Sequence, residues 1–228
     1  MATEVCSYRL SLQGKPVGNQ VLSTSERGIN IFLEAKMQLQ GSLGNVTVNQ
    51  QSKLHREKMT SYFFNEETIE GGNKRQFNVT FDYQKGLVRA SRSSQDQTEM
   101  PLTQNFSDPL SMLYQLRQFK AEDAFWQIPM LGKAVSVERV GEKTLESSLG
   151  ETDCFVYKLW PGGSFAYVSK AAPHHIMMLI QKVDGRSLEA QLIRVSHESN
   201  TRPRQNQNNN QRRRAKKHSR KHNPHRQN

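Results

Sequence analysis

"EVCSYRLSLQ", residues 4–13, decides the fold class. Val5, Ser7, Arg9 and Ser11 fall on one side of an extended chain, and Cys6, Tyr8, Leu10 and Leu12 on the other. A period of two is the signature of a half-buried strand. "GKPVG" follows, and its proline and two glycines punctuate a turn. "NQVLSTSE" and "INIFLEAKMQLQ" read as the next strands, split by "RG". In the second of these, Ile29, Ile31, Leu33, Ala35, Met37 and Leu39 share one face.

The rhythm continues outward. "NVTVNQQSKLHRE" (45–57), "TSYFFNEET" (60–68), "KRQFNVTFDYQ" (74–84) and "GLVRASRSS" (86–94) are rich in β-branched and aromatic residues. "GSLG", "EGGN" and "QKG" separate them as turns. "AFWQIPML", "KAVSVERV", "TDCFVYKLW", "SFAYVSK", "HHIMMLIQKVD" and "SLEAQLIRVSHE" supply the later strands, with turns at "PGG" and "DGR". Twelve or thirteen strands with short connections predict a mainly β protein built as an antiparallel meander, since parallel pairing needs helical crossovers.

One stretch departs from alternation. "SDPLSMLYQLRQF" (107–119) spaces Leu110, Leu113, Tyr114, Leu116 and Arg117 as a helix does, and Asp108-Pro109 matches an N-cap followed by proline at the first helical position. The expectation is one α-helix over 109–119, its apolar stripe on the sheet. Arg117 falls one turn after Leu113, where it can pair with a carboxylate on the sheet beneath.

Charge divides the chain. Of 32 Lys and Arg residues, ten lie in 202–228: Arg202, Arg204, Arg212, Arg213, Arg214, Lys216, Lys217, Arg220, Lys221 and Arg226. That segment contains neither Asp nor Glu and only one aliphatic side chain, Ala215. Residues 1–201 hold 22 cations against 21 anions, so the net +11 belongs to the tail. The division is a single β domain over 1–201 and a basic tail over 202–228, whose composition predicts disorder. Such arms bind polyanions by counterion release. Nucleic acid, DNA or RNA, is the first partner expected; the absence of aromatic side chains argues against base reading. Anionic membrane is second, since the tail lacks apolar anchors. A solvated extension without function is the third reading.

Catalytic chemistry is poorly represented. His174–His175 are adjacent, and adjacent strand residues point to opposite faces, so the two cannot chelate one metal together. A turn or edge position after Pro173 fits them better. Asp153-Cys154 reads as a buried strand cysteine rather than an activated thiol. "GGNKR" (71–75) lacks the strand–loop–helix setting of a phosphate loop and reads as a hairpin turn. Glu66-Glu67 and Glu122-Asp123 read as solvated acidic pairs in loops. Met112, Met177 and Met178 fit core positions or a plastic apolar cavity. Cys6 and Cys154 read as reduced buried thiols, with a disulfide as the alternative if the fold brings their Cα atoms within about 7 Å. No metal, cofactor or catalytic constellation is expected, and a binding protein is favoured over an enzyme. No apolar run reaches the length of a membrane-spanning helix. The first residues lack a signal peptide, so the expectation is a cytoplasmic protein, or a periplasmic one if a leader was removed.

The order of these pieces resembles a widespread bacterial family of β-rich proteins of unknown function, most of them exported. The resemblance spans residues 5–196 and is carried by "YRLSLQGKPVG", "SDPLSMLYQLR", "GETDCFVYKLWPGG" and "AAPHHIMMLIQKVDG". It implies a long curved antiparallel sheet, an open or half-closed barrel, with the helix laid on its concave side. Lipocalins and bacterial lipoprotein carriers use such sheets to hold apolar ligands. The implied cavity residues are Leu113, Leu116 and Phe119, buried together with the odd-numbered face of 29–39. The chain departs from that family in its missing export signal and its added basic tail. Two functional readings result: a ligand- or partner-binding β domain tethered to nucleic acid by its tail, or an envelope-type carrier of an apolar ligand with an incidental tail.

Overall fold

Alternation becomes pairing in the computed structural model, which describes residues 2–118, 124–183 and 185–199. Fourteen strands follow one another: β1 (Ala2–Leu12), β2 (Lys15–Arg27), β3 (Asn30–Leu39), β4 (Val46–His55), β5 (Ser61–Glu70), β6 (Asn73–Asp82), β7 (Leu87–Ser91), β8 (Gln97–Pro101), then β9 (Phe125–Met130), β10 (Lys133–Ser147), β11 (Gly150–Trp160), β12 (Ser164–Ser169), β13 (Ile176–Val183) and β14 (Arg186–Ser199). The helix α1 (Pro109–Leu116) stands between β8 and β9. All fourteen strands form one antiparallel sheet in the order β8-β7-β6-β5-β4-β3-β2-β1-β14-β13-β12-β11-β10-β9. Each strand neighbours the next in sequence, except that β1 pairs with β14 at the centre and β8 and β9 are the two edges.

The sheet is not closed, yet it must be strongly curled. Phe106 and Ser107 are consecutive residues. The Phe106 carbonyl accepts from the Ser61 amide of β5 at 3.0 Å, and the Ser107 amide donates to the Pro129 carbonyl of β9 at 2.8 Å. Those strands are ten spacings apart in the sheet, which would be about 48 Å if it were flat. One stretch of chain between β8 and α1 therefore bridges both halves across the concave side. Two apolar clusters fill that side. The larger includes Tyr8, Leu10, Ile31, Leu33, Leu54, Phe81 and Val88; the smaller includes Ile128, Val137, Tyr157 and Ile176. The eight residues of α1 enter both, Leu110 in the first and Leu116 in the second.

Several expectations need correction. The helix ends at Leu116 rather than residue 119, because the Arg117 and Gln118 amides turn back to the Tyr114 and Gln115 carbonyls. Phe119 lies outside the described residues, as do Glu122 and Asp123. Leu113 and Leu116 belong with the smaller cluster, whereas Ile31, Leu33 and Ala35 belong to the larger, so they do not form one buried group. Ile29 is 54% exposed because it occupies the turn where Arg27 pairs with Asn30. "GKPVG" is mostly strand: the turn is only Gln13-Gly14, with Leu12 opposite Lys15. Gly18 lies inside β2, where a Cβ would sit 1.9 Å from the Gln38 carbonyl oxygen, so only glycine lets the two strands approach. Glu66 and Glu67 lie on β5, not in a loop; Glu66 accepts from Gln50 at 2.7 Å and Glu67 pairs with Lys74 at 2.5 Å. Strand β8 lacks an apolar period because it is a short edge strand on which only Met100 is half-buried, against the larger cluster, and its polar sequence suits an edge that must not recruit another chain.

If α1 joins the two cores, its most buried end should matter most. Leu116 is 1% exposed, and Leu116→Ala should cost about 2–5 kcal/mol in urea unfolding. Half-buried Leu113→Ala should cost less, about 1–2 kcal/mol. Equal losses would mean that the C-terminal end of α1 is not inserted in the second core.

Candidate functional site

Two polar groups interrupt the apolar interior, and both centre on α1. At its N-terminus, Asp108 is buried and its carboxylate accepts four hydrogen bonds. The Leu110 and Ser111 amides donate to Oδ1 at 2.9 and 3.0 Å, and the Ser52 and Ser61 hydroxyls donate to Oδ2 at 2.6 and 2.5 Å. The Asp108 amide in turn donates to the Ser111 and Ser61 hydroxyls at 2.8 and 3.0 Å. The result is a capping box extended into the sheet. Burial pushes the Asp108 carboxyl above the usual carboxylate range, against the pull of those donors. The serines answer the cap: Ser52 lies between Leu33 and Phe64 in the cross-strand register, a place otherwise apolar.

At the other end of α1, Arg117 reaches β1. Its Nη1 and Nη2 donate to the two carboxylate oxygens of Glu4 at 2.6 and 3.2 Å, and Nη2 also lies 3.3 Å from the Pro173 carbonyl. The expected pairing of Arg117 with a sheet carboxylate is thus formed, and Glu4 is the partner. His175 completes the group, its Nε2 3.0 Å from Glu4 Oε2. Cys6, two residues along the same face of β1, has its thiol 3.8 Å from Glu4 Oε1. Burial works to raise the Glu4 carboxyl, but the His175 and Arg117 hydrogen bonds outweigh it and hold the group at about 2. Burial, with the Glu4 charge second, pushes the Cys6 thiol up to about 12. Above the group opens a cleft of about 930 Å³, lined by Glu4, Glu26, Arg56, Tyr114, Arg117, His174 and His197 among others.

A third feature is apolar. Met112 and Leu113 of α1, Met130, Val135, Leu159, Trp160 and Leu179 line a hollow of about 210 Å³, with Lys133, Ser164 and Gln181 among its polar residues. Of the expected cavity residues, Leu113 lines this hollow and Leu116 is buried in the adjoining cluster. Met112 sits at the hollow, while Met177 is core.

His174 and His175 do not act on one ligand together, but the reason differs from strand alternation. Both precede β13, and His174 is in the left-handed region at φ 57° with its Nδ1 3.0 Å from the Ser169 carbonyl. Cys154 is a buried free thiol on β11, and burial pushes it up to about 11; Cys6 is likewise free. Gly71-Gly72 form a hairpin turn between Glu70 and Asn73. The ten tail cations, Arg202 to Arg226, lie outside the described residues. Sequence reading missed Glu4, although its i, i+2 spacing to Cys6 on a period-two strand places both on one face. His175 joins them through the order of the sheet, with β14 between β1 and β13, which no local pattern encodes.

Glu4 sets an acid limit on stability. Its folded value lies below the ordinary 4.5, so its contribution is present above about pH 4.5 and is lost as pH falls towards about 2. Glu4→Gln should cost about 2–4 kcal/mol at pH 7, because it strands Arg117 in a largely buried site. Wild type and variant should converge in stability between those two pH values. A constant gap down to pH 2 would show that the Glu4 charge is not what stabilises the fold.

Comparison with known proteins places the chain without assigning it an activity. No curated protein matches it. A crystal structure of a beta-barrel-like protein of a domain of unknown function, DUF1849, from Brucella abortus is similar to it at 9% identity, with a TM-score of 0.60, covering 87% of this chain and 99% of that one. At that identity the likeness concerns the fold alone. A family model, described as a protein of unknown function (DUF3108), matches residues 7–195, which span nearly all the strands and α1. The chain therefore belongs to the DUF3108 family.

Proposed function

We propose that this is a non-enzymatic binding protein in two parts: a barrel-like body that takes an apolar ligand or partner, and a basic tail that holds nucleic acid without sequence preference. The observation that carries the first part is the hollow beside α1. It is apolar on most sides, has a few polar groups among its lining, and is built from strands and α1, with Pro161 and Gly162 of the β11–β12 turn completing it. Its volume of about 210 Å³ suits a small group or a short chain rather than a large ligand. Support for the second part is compositional: ten cations without a single counter-charge, eight of them beyond an Asn-rich spacer at 206–210. The absence of catalysis is supported by the state of the nucleophiles. Both cysteines are buried with raised thiol values, and Ser52, Ser61 and Ser111 are committed to the helix cap. An envelope-type carrier with an incidental tail is the second reading, favoured by the same hollow.

The two parts should separate by experiment. With about five to eight tail cations on phosphates, log K for nucleic acid should fall against log salt with a slope of about −0.9 per contact on duplex, or about −0.7 on single strands. Residues 1–201 alone should lose most of that affinity and keep the melting temperature. Arg212, Arg213 and Arg214 changed together to Gln should flatten the slope by about two to three and weaken all sequences alike. Leu113→Trp should fill the hollow and reduce binding of an apolar fluorophore while leaving the salt slope untouched. If residues 1–201 bind nucleic acid as tightly as the full chain, the tail is not the anchor and the near-neutral body carries a local basic face instead.

A further inference from the structure

We infer that Glu4, Cys6 and His175 form a site for a single borderline-soft divalent cation of the zinc class, beside Arg117 and reaching the cleft through Glu4. Among the described residues these are the three whose ligand atoms converge: one carboxylate oxygen, one sulfur and one imidazole nitrogen, all within 4.8 Å of one another. The set is the one zinc selects, thiolate with imidazole and carboxylate, whereas calcium or magnesium would require oxygen donors throughout. The spacing is close to what a tetrahedral ion needs. Bond lengths of about 2.0–2.3 Å put pairs of ligand atoms about 3.3–3.8 Å apart. Here His175 Nε2 is 3.0 Å from Glu4 Oε2 and Cys6 Sγ is 3.8 Å from Glu4 Oε1, so the two donors flank the carboxylate on different oxygens, and one oxygen, the sulfur and the nitrogen lie within 4.8 Å of one another. Shifts of under about an ångström complete the geometry. Two of the donors come from one rigid strand at i and i+2. Glu4 lines the cleft, so a water can take the fourth position.

Arg117 is the objection and needs an answer. Its guanidinium already grips Glu4, and a nearby cation weakens the attraction for a metal. A carboxylate has about four lone-pair positions, however, and Arg117 takes two. An arginine that fixes the ligating carboxylate from behind is an outer-shell support, the arrangement that orients metal ligands elsewhere. Metal binding breaks the Cys6 S–H bond, sends the proton to solvent and forms a sulfur–metal bond. The two anionic ligands then neutralise the dication and the Arg117 charge stays with the protein. In the metal-free state the Cys6 thiol has a long contact with Glu4 and a hydrogen bond with Tyr8, two residues along the same face of β1. The ion would replace these weak sulfur contacts with a coordinate bond.

The test is cobalt titration of the full-length protein, with His218, His222 and His225 of the tail changed to Gln so that they contribute no imidazole sites. One Co²⁺ per chain should bind, with a thiolate-to-cobalt charge-transfer band in the near ultraviolet and visible bands of four-coordinate intensity. Zn²⁺ should displace it. Cys6→Ser should abolish the charge-transfer band, and His175→Ala should weaken binding about tenfold or more. Cys154→Ser should change nothing. Should Cys6→Ser fail to fold, X-ray absorption of the zinc-loaded protein decides, with one sulfur expected at about 2.3 Å. Absence of a sulfur neighbour, or a charge-transfer band that survives Cys6→Ser, overturns the assignment.

Discussion

The Asp108 carboxylate is the point on which the architecture turns. A sheet of fourteen antiparallel strands has no intrinsic reason to curl to one radius, and here its edges β8 and β9 do not pair with each other. The chain solves this by sending residues 102–118 across the concave side and fastening them. Asp108 satisfies two amides of the helix N-terminus and two serine hydroxyls of β4 and β5 with one side chain. Once it is fixed, Phe106 must meet β5, Ser107 must meet β9, and Leu110 must enter the larger core. A buried carboxylate is costly unless fully bonded, so the serines at 52, 61 and 111 are part of the same requirement.

Arg117 fixes the opposite end of the same short helix. Its bidentate bond to Glu4 ties α1 to the central strand, where the N- and C-terminal halves of the sheet meet through β1 and β14. An eight-residue helix has little stability of its own. It persists because both ends are anchored by charged hydrogen bonds and both cores take a leucine from it. The hollow that supports a ligand-binding role lies along the face of α1 that these anchors leave partly uncovered, so the clasp that shapes the barrel also shapes the space beside it.

Much of this was legible in the sequence. Alternation at Cys6, Tyr8, Leu10 and Leu12 placed β1 and its buried face, and Asp108-Pro109 placed the helix start. What could not be read locally falls into two kinds. Strand β8 and the outer half of β10 are mostly exposed, with only Met100 and Leu145 packed against the larger cluster, so no apolar run marks them. The outer half of β10 follows a bulge at Val140. The meeting of Glu4, Cys6 and His175 depends on the β1-β14-β13 order, which brings together residues 171 positions apart, and Arg117 is delivered to them at the end of α1. Ser52 and Ser61 were likewise silent, because a serine on a half-buried strand is ordinary until its partner is known. The tail is the converse case: its chemistry is plain from composition, and it stands outside the described residues.

Amide hydrogen exchange in Asp108→Ala tests the clasp most directly. The Ser61 and Ser107 amides report the two bonds that bridge the sheet's halves, and amides at the β1–β14 centre report global opening. Loss of the cap should speed exchange at Ser61 and Ser107 by about tenfold or more and leave the centre, at Tyr8 and Leu192, nearly unchanged. If all these amides accelerate together, Asp108 supports stability without defining the closure. If none does, the curl of the sheet is held by something other than this carboxylate.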